Sequence, residues 1–291
     1  MACPICKEKK KFFSVKVKDY EYDIRHVATY VQCKSCESIY RTNPQTIKSQ
    51  EKIIYSNKNY LPSKGNPIYD ILKGIYAEYE KKIILENLRN KFFNKKVTVL
   101  DIACGKGYLI KKFSKEKTFI CFGIDINSKT IKKDNVNFIN SSYNNIDIIK
   151  KIRPDVIIIN NFIEHIENLI DIHKIINQMK KKSYLIILTP DGNSSARKIF
   201  SNYWSGFHSP RHKVIFNTKS IRTFFSNNKK INFRQTKIYD PFTNLVSISN
   251  IIKQIAHKFL LSDFLKVILF LLYIFVDYEQ KNRILMIGEK K

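Results

Sequence analysis

The stretch that decides the fold is Val97–Tyr108, which reads Val-Thr-Val-Leu-Asp-Ile-Ala-Cys-Gly-Lys-Gly-Tyr. Its apolar first half suits a strand buried on both faces, as in a parallel sheet covered by helices. Gly105 and Gly107 then let the chain turn sharply and approach a ligand without an intervening Cβ atom. A second apolar run ends at Asp125, where a carboxylate can accept hydrogen bonds from both hydroxyls of a ribose. This layout predicts a nucleoside-cofactor site.

An acidic residue ahead of the glycines helps to distinguish a dinucleotide cofactor from a cationic one. A dinucleotide fingerprint needs a third glycine, and Ile110 stands at that position. Asp101 precedes the loop, where a carboxylate would repel a pyrophosphate but attract a cationic ligand. The segment resembles the first two motifs of class I S-adenosylmethionine (SAM)-dependent methyltransferases, which implies SAM as the cofactor. By this resemblance, the residues that bind the methionine part and the ribose of SAM are Asp101, Gly105, Gly107 and Asp125.

Strand and helix patterns alternate from Val97 onward, which predicts a largely parallel sheet. The predicted strands span 97–103, 119–126, 136–140, 155–160, 184–189, 231–239 and 283–288. Helices are predicted over 108–113 and 69–93. Resemblance to the methyltransferases implies an α/β fold with a Rossmann-like seven-stranded sheet, mostly parallel, whose last two strands form an antiparallel C-terminal edge.

Four of the six cysteines form two Cys-x-x-Cys pairs near the N-terminus. Cys3 with Cys6 and Cys33 with Cys36 can each direct two thiolates at one ion. Four thiolates complete a tetrahedral Zn²⁺ site without an open position for water, so the site is expected to be structural. The stretch between the pairs alternates like the arms of a hairpin. We therefore predict a zinc ribbon, with iron in a rubredoxin-like site as the alternative.

The composition divides the chain into three predicted parts. These are a zinc ribbon over 1–45, a linker and helical lid over 46–95, and a SAM-dependent methyltransferase domain over 96–291. Prolines and a glycine punctuate the linker, as is typical of connecting segments. The length of 291 residues and the hydrophobic fraction of 44% agree with one α/β domain plus an appendage.

The net charge of +27 would fit a nucleic-acid partner, but its make-up argues against one. Arg supplies only nine of the 52 basic residues, whereas readers of bases and phosphates favour the bidentate guanidinium. Lys is enriched all along the chain, which indicates compositional bias. An anionic substrate or an acidic membrane surface stays compatible with the charge. The N-terminus lacks the apolar core of a secretory signal, so we expect a cytoplasmic protein with reduced cysteines.

The loops after the fourth and fifth predicted strands are expected to line the reacting side, because ligands gather beyond the carboxyl ends of parallel strands. The fourth strand leads into residues 161–166, Asn-Phe-Ile-Glu-His-Ile, which resemble the Leu-Glu-His-Val/Ile stretch of small-molecule methyltransferases. Asn161 is assigned to cofactor binding. His165 is a candidate general base, and a histidine that caps a helix start is the equal alternative. The Asn/Asp-Pro-Pro-aromatic loop of nucleobase N-methyltransferases is missing from this sequence.

The segment 203–212 is dense in side chains that recognise polar ligands. Trp204 offers a stacking face for a sugar ring, and Arg211 can bind a phosphate or a carboxylate. His208 or His212 can remove a hydroxyl proton. The segment resembles the Pro-Arg-His-Leu region of bacterial methyltransferases of cell-surface glycan and nucleotide-sugar pathways, and a buried connector is the alternative. The candidates for substrate binding are Trp204, His208 and Arg211, and those for catalysis are His212 first and His165 second.

We therefore expect a SAM-dependent methyltransferase that acts on a small-molecule or glycan acceptor, namely a sugar of a surface polysaccharide or its nucleotide-linked precursor. Two alternatives stay open: an RNA methyltransferase whose zinc ribbon binds the substrate, and a non-catalytic adaptor that keeps the fold. The apolar run 259–276 contains too short an uninterrupted stretch to span a bilayer, which takes about 20 residues. We interpret it as a buried helix. The second alternative is a helix that docks on a membrane surface, and the third is a dimer contact.

Overall fold

The computed structural model describes residues 1–21, 27–42, 67–88, 95–226, 228–256 and 281–291. These residues form two β-sheets, one of eight strands and one of four. The polar stretch 46–66 and the apolar run 259–276 lie outside the described residues. The predictions made for those two stretches therefore stay predictions.

The described strands and helices are numbered in chain order. The strands are β1 (Lys11–Lys18), β2 (Val27–Cys33), β3 (Ile39–Arg41), β4 (Val97–Ile102), β5 (Phe119–Asp125), β6 (Ile131–Lys133), β7 (Val136–Asn140), β8 (Val156–Asn160), β9 (Tyr184–Pro190), β10 (Val214–Ile215), β11 (Ile231–Ile238) and β12 (Arg283–Lys290). The helices are α1 (Pro67–Asn87), α2 (Tyr108–Phe113), α3 (Ile146–Ile152), α4 (Ile170–Gln178), α5 (Ser195–Phe200), α6 (Thr218–Ser226) and α7 (Pro241–Ala256).

The larger sheet has the strand order β11-β12-β9-β8-β4-β5-β7-β6. Strand β4 pairs in parallel with β5 on one side and β8 on the other, so the carboxyl ends of all three meet at one edge. Strand β12 runs antiparallel between β9 and β11, which confirms the predicted antiparallel C-terminal edge. The seven predicted strands are present with ends within two residues of those predicted. The eighth, β6, was not predicted because it is short and fully exposed, without an apolar pattern.

Helices cover both faces of this sheet, as the apolar strands require. Ile157 and Ile159 of β8 belong to a core cluster that includes Ile172 of α4. Ile158, between them, belongs to a second cluster that includes Ile84 of α1. Because successive side chains of a strand point to opposite faces, β8 is buried on both sides.

Helix α2 begins and ends where the sequence predicts. Helix α1 spans Pro67–Asn87 where 69–93 was predicted, and residues 89–94 lie outside the described ranges. Across the described ranges, none of the helices combines the length and the apolar character that crossing a membrane requires.

The smaller sheet carries the N-terminal cysteines and has the order β1-β2-β3-β10. Strands β1 and β2 form the predicted antiparallel hairpin, and β3 follows antiparallel to β2. Strand β10, which comes shortly after His212, pairs with β3. The N-terminal sheet therefore extends beyond residues 1–45, because it includes a strand from the predicted methyltransferase domain.

Candidate active site

The loop between β4 and α2 has left-handed backbone conformations, which favour glycine. The φ angles of Ala103, Gly105 and Gly107 are 56°, 54° and 72°, in the left-handed region that other residues rarely adopt. A Cβ atom on Gly107 would lie 2.7 Å from two ring carbons of Phe138, so a side chain has no room there. A Cβ atom on Gly105 would have no heavy atom within 4 Å. The first glycine therefore faces free space, and the second allows close packing.

Asp125 at the end of β5 fixes the first glycine of the loop. One of its carboxylate oxygens accepts a hydrogen bond from the backbone N–H of Gly105 at 2.9 Å. The other oxygen accepts from the backbone N–H of Asn127 at 2.8 Å. Each oxygen keeps a further lone pair. Asp125 therefore lies beside the glycine loop, as predicted, and can still accept hydrogen bonds from a ligand.

Asp101, the last but one residue of β4, is a buried acid with one unpaired carboxylate oxygen. It is 3% exposed, and its Oδ1 atom has no hydrogen-bond partner among the described residues. Burial, together with the carboxylates of Glu80 and Asp125, raises the pKa of Asp101 well above its ordinary value. A buried carboxylate that repels its neighbours in this way would gain from a cationic ligand.

Asp101 faces a cavity of about 180 Å³ at the carboxyl ends of β4 and β8. Tyr76 and Glu80 of helix α1 line this cavity. Asn160 and Asn161, at the end of β8, border it as well, and Asn161 has a φ of 51°. The residues that line the cavity are Lys73, Tyr76, Ala77, Glu80, Asp101, Ala103, Cys104, Tyr108, Leu109, Asn160 and Asn161.

Glu80, which no sequence motif marks, is held by a buried polar network. Arg283 of β12 is 1% exposed and donates hydrogen bonds to the Glu80 carboxylate and to the side-chain oxygen of Asn160. The amide nitrogen of Asn160 donates to the second carboxylate oxygen of Glu80 at 3.1 Å. The only signal in the sequence is a Glu on the apolar face of α1, four residues before the buried Ile84.

A second group of titratable side chains lies just beyond β8. Ligand atoms of Glu164, His165 and His212 all lie within 4.8 Å of one another. Nδ1 of His212 lies 2.8 Å from the carbonyl oxygen of Gly206, so this nitrogen carries the proton and Nε2 does not. Nε2 in turn lies 3.8 Å from Oε1 of Glu164, and the other oxygen of Glu164 accepts a hydrogen bond from the Thr189 hydroxyl at 2.9 Å.

Burial shifts the pKa values of Glu164, His165 and His212. Glu164 is fully buried, and burial raises its pKa to about 7. Burial and the neighbouring histidines lower the pKa of His212 well below its ordinary value. Burial lowers the pKa of His165 in the same way, with contributions from His208 and Arg211. Both imidazoles are therefore neutral near pH 7, and the structure brings together the two histidines that were predicted as catalytic.

The predicted substrate-binding residues Trp204 and Arg211 are placed differently from the expectation. Each is 1% exposed, so neither presents its indole or guanidinium to an acceptor. Arg211 donates to the carboxylate of Asp19, just after β1, at 2.9 Å in a fully buried ion pair. Both side chains are thus buried supports of the segment 203–212. The sequence could not reveal this, because the partner of Arg211 lies 192 residues away.

Further contacts join the N-terminal sheet to the same segment. The hydroxyl of Tyr30 donates to the backbone carbonyl of His212 at 3.0 Å, and the hydroxyl of Ser209 donates to that of Val17 at 2.9 Å. Nδ1 of His208 lies 3.1 Å from a carboxylate oxygen of Glu21. His208 is partly exposed beside the ring of His212, with ring centroids 5.1 Å apart. Of the predicted substrate-binding residues, His208 is thus the one that borders the histidine group.

The four N-terminal cysteines converge on one point. The Sγ atoms of Cys3 and Cys36 lie 3.5 Å apart, and those of Cys6 and Cys33 lie 3.4 Å apart. All four Sγ atoms lie within 4.8 Å of one another, and none of the four forms a disulfide. These spacings are close to the edge of about 3.8 Å in a tetrahedron with Zn–S bonds of about 2.3 Å.

The chain is similar to solved methyltransferase structures. Among solved structures, the chain is similar to the plantazolicin methyltransferase BamL in complex with a triazolic desmethylPZN analog and SAH. The two sequences are 14% identical, the TM-score is 0.47, and the match covers 83% of this chain and 94% of that chain. It is also similar to a cyclopropane-fatty-acyl-phospholipid synthase-like protein from Lactobacillus casei ATCC 334, with 11% identity, a TM-score of 0.49, and coverage of 76% and 92%. No curated protein matches the chain by sequence. A family profile described as a methyltransferase domain matches residues 76–233, a stretch that includes the glycine loop and the histidine group.

Proposed function

The chain belongs to the methyltransferase-domain family, and from that premise we propose that this SAM-dependent methyltransferase acts on a hydroxyl group of a small-molecule acceptor. We propose further that the acceptor is a sugar of a surface polysaccharide or its nucleotide-linked precursor. The observation that carries the proposal is that the end of β8 and the loop after it contribute to both sites: Asn160 and Asn161 line the Asp101 cavity, and Glu164 and His165 follow in the same loop. A cofactor site and a proton-accepting site at one edge of a sheet suit group transfer.

The residues around the cavity fit SAM. Asp101 and Glu80 offer carboxylates to its positively charged part. Asp125 retains lone pairs for ribose hydroxyls, and Gly105 leaves space beside it. Asn161 borders the same cavity. SAM supplies an activated methyl group, so the protein chiefly has to align the acceptor and exclude water.

His212 is the proposed proton acceptor, with His165 as the second choice. The hydrogen bond from Nδ1 of His212 to Gly206 holds the ring and leaves the lone pair of Nε2 available. The carboxylate of Glu164, 3.8 Å from Nε2, can stabilise the imidazolium that forms when the ring takes up a proton. His208, which borders His212 and is partly exposed, is the proposed contact to the acceptor.

Zn²⁺ bound by Cys3, Cys6, Cys33 and Cys36 is proposed as a structural ion. The spacing of the four Sγ atoms supports this proposal, because it needs only a small adjustment to fit tetrahedral coordination. An N-terminal unit of this size has a small core of its own, so the metal would contribute much of its folding free energy. The ion would also hold the strands that contact residues 208–215.

The test of the proposed function begins with binding of SAM to the zinc-loaded protein by calorimetry. Asp125→Ala should weaken binding by roughly 1–3 kcal/mol through the lost hydrogen bonds, whereas the control Asp134→Ala should not, since Asp134 pairs with Lys111 away from the cavity. Absence of SAM binding would favour the non-catalytic adaptor. A mass increase of one methyl group on nucleotide sugars would identify the acceptor.

The role of His212 is tested separately by His212→Asn. The amide nitrogen of Asn can replace Nδ1 as the donor to Gly206, but nothing replaces Nε2. We expect kcat for transfer to a hydroxyl to fall by about 10²–10⁴-fold while SAM affinity stays unchanged. Unchanged kcat in this variant would contradict the proposed proton acceptor.

A further inference from the structure

We propose that Glu164, His165 and His212 form a second metal site, for one divalent transition-metal ion, separate from the four cysteines. The three side chains offer one carboxylate oxygen and two imidazole nitrogens within 4.8 Å of one another. Two histidines and one carboxylate are a ligand set used for Zn²⁺ and for other divalent transition metals. The cysteines supply only sulfur, so the two sites differ in chemistry.

The strongest sign of a missing ligand is the carboxylate of Glu164. The side chain is fully buried, and among the described residues its Oε1 atom has no hydrogen-bond partner. Oε1 points toward Nε2 of His212 but stays 3.8 Å from it, too far for a hydrogen bond. A buried carboxylate oxygen without a partner carries a high free-energy cost, which a cation between the two atoms would remove.

Each of the three side chains also forms a hydrogen bond that orients it, as metal ligands in proteins usually do. Nδ1 of His212 donates to the carbonyl of Gly206, which directs the lone pair of Nε2 toward Glu164. The Thr189 hydroxyl donates to the outer oxygen of Glu164 at 2.9 Å and leaves Oε1 available. The ring of His165 forms a hydrogen bond with the backbone of Arg211.

The geometry also provides an approach for the ion. His165 is partly exposed, whereas Glu164 is fully buried and His212 is 6% exposed. His165 is therefore the least buried of the three ligands, and an ion would enter from its side. Bonds of about 2.0–2.2 Å to nitrogen and oxygen place tetrahedral ligands roughly 3.3–3.6 Å apart, so the gap of 3.8 Å between His212 and Glu164 closes with a small shift.

Metal binding and proton acceptance exclude each other, because both use the lone pair on Nε2 of His212. An ion at this site should therefore inhibit transfer to a hydroxyl while it is bound. Binding of the ion is independent of the proposed function, whereas the inhibition rests on it. A spectroscopic measurement of binding and a measurement of activity consequently test two different statements.

The experiment uses the full chain loaded with one equivalent of Zn²⁺ at the cysteines and then titrated with Co²⁺. We expect one further equivalent to bind, with visible d–d absorption but without the charge-transfer band of a thiolate ligand. Glu164→Gln and His212→Asn should each weaken this binding by at least about tenfold. The matched control His173→Asn removes a histidine whose ring contacts Asn228, so it should bind Co²⁺ as the wild type does.

Thr189→Val provides a milder variant in case the ligand substitutions disturb folding. It removes only the hydrogen bond behind Glu164 and should weaken Co²⁺ binding by roughly 10–100-fold. The metal site would be refuted if the wild type bound no Co²⁺ beyond the cysteine site, or if Glu164→Gln and His212→Asn both bound it as tightly as the wild type. Binding of Co²⁺ without inhibition would support the metal site and count against His212 as proton acceptor.

Discussion

The two glycines of the loop after β4 should respond differently to substitution by alanine. Gly107 has a φ of 72°, and its new Cβ would lie 2.7 Å from the ring of Phe138. A left-handed backbone costs an L-residue about 1–2 kcal/mol, and overpacking a filled core costs about 1–3 kcal/mol. Gly107→Ala should therefore lower the free energy of unfolding by roughly 2–5 kcal/mol.

Gly105→Ala is the matched control for this substitution. Its φ of 54° carries the same backbone cost, but no heavy atom lies within 4 Å of the new Cβ. Its loss of unfolding free energy should therefore stay near 1–2 kcal/mol, or about the backbone cost alone. The methyl group would instead extend into the space proposed for SAM. We expect Gly105→Ala to bind SAM at least about tenfold more weakly, a loss of about 1.4 kcal/mol.

Urea unfolding and calorimetry with SAM measure the two effects separately. In a Phe138→Ala background the extra cost of Gly107→Ala should shrink to the value found for Gly105→Ala, because the clash has been removed. Equal losses of stability for the two single variants would refute the role given to Phe138. Unchanged SAM affinity of Gly105→Ala would refute the position proposed for the cofactor.

Two further predictions concern the buried acid and the zinc ion. Asp101→Asn should raise the free energy of unfolding by roughly 1–3 kcal/mol at neutral pH and weaken SAM binding. Burial raises the pKa of Asp101, so the contribution of this group to stability is intact below its unfolded-state pKa of about 3.9 and is lost as the pH rises toward its pKa in the folded protein. In thermal unfolding, the stability gained by Asp101→Asn should therefore grow from acidic to neutral pH. A variant less stable than the wild type at neutral pH would contradict this. Removal of zinc by a chelator should abolish methyl transfer but leave SAM binding nearly unchanged. The reason is that the cysteine sheet contacts residues 207–215, whereas none of the residues that line the Asp101 cavity belongs to that sheet or segment. Full activity of the zinc-free protein would disprove the coupling.

Local signals explain why the large sheet and the cofactor loop could be predicted from the sequence. Strand β8 is a run of buried Ile residues, and the loop after β4 needs glycines at fixed positions. Both properties are set by residues within a few positions of one another. The arrangement of Asp125 beside Gly105 then follows from the parallel pairing of β4 with β5.

What the sequence could not provide are pairings between distant residues. Arg283 and Glu80 meet across 203 residues, and neither has a local pattern that distinguishes it from an exposed ion pair. The same holds for Arg211. It was predicted to contact the acceptor, but in the structure it forms a buried ion pair with Asp19. Composition gives the residue types in such pairs, but only the fold determines which of them meet.

The position of the N-terminal sheet bears on which type of acceptor the enzyme uses. Here Asp19 and Tyr30 contact Arg211 and His212, and β3 pairs with a strand that begins two residues after His212. These contacts hold the backbone of the proposed proton acceptor, so the cysteine sheet supports the histidine group. The cysteine sheet therefore has a structural partner within the chain, which supports the proposed small-molecule acceptor over a nucleic acid bound along the ribbon.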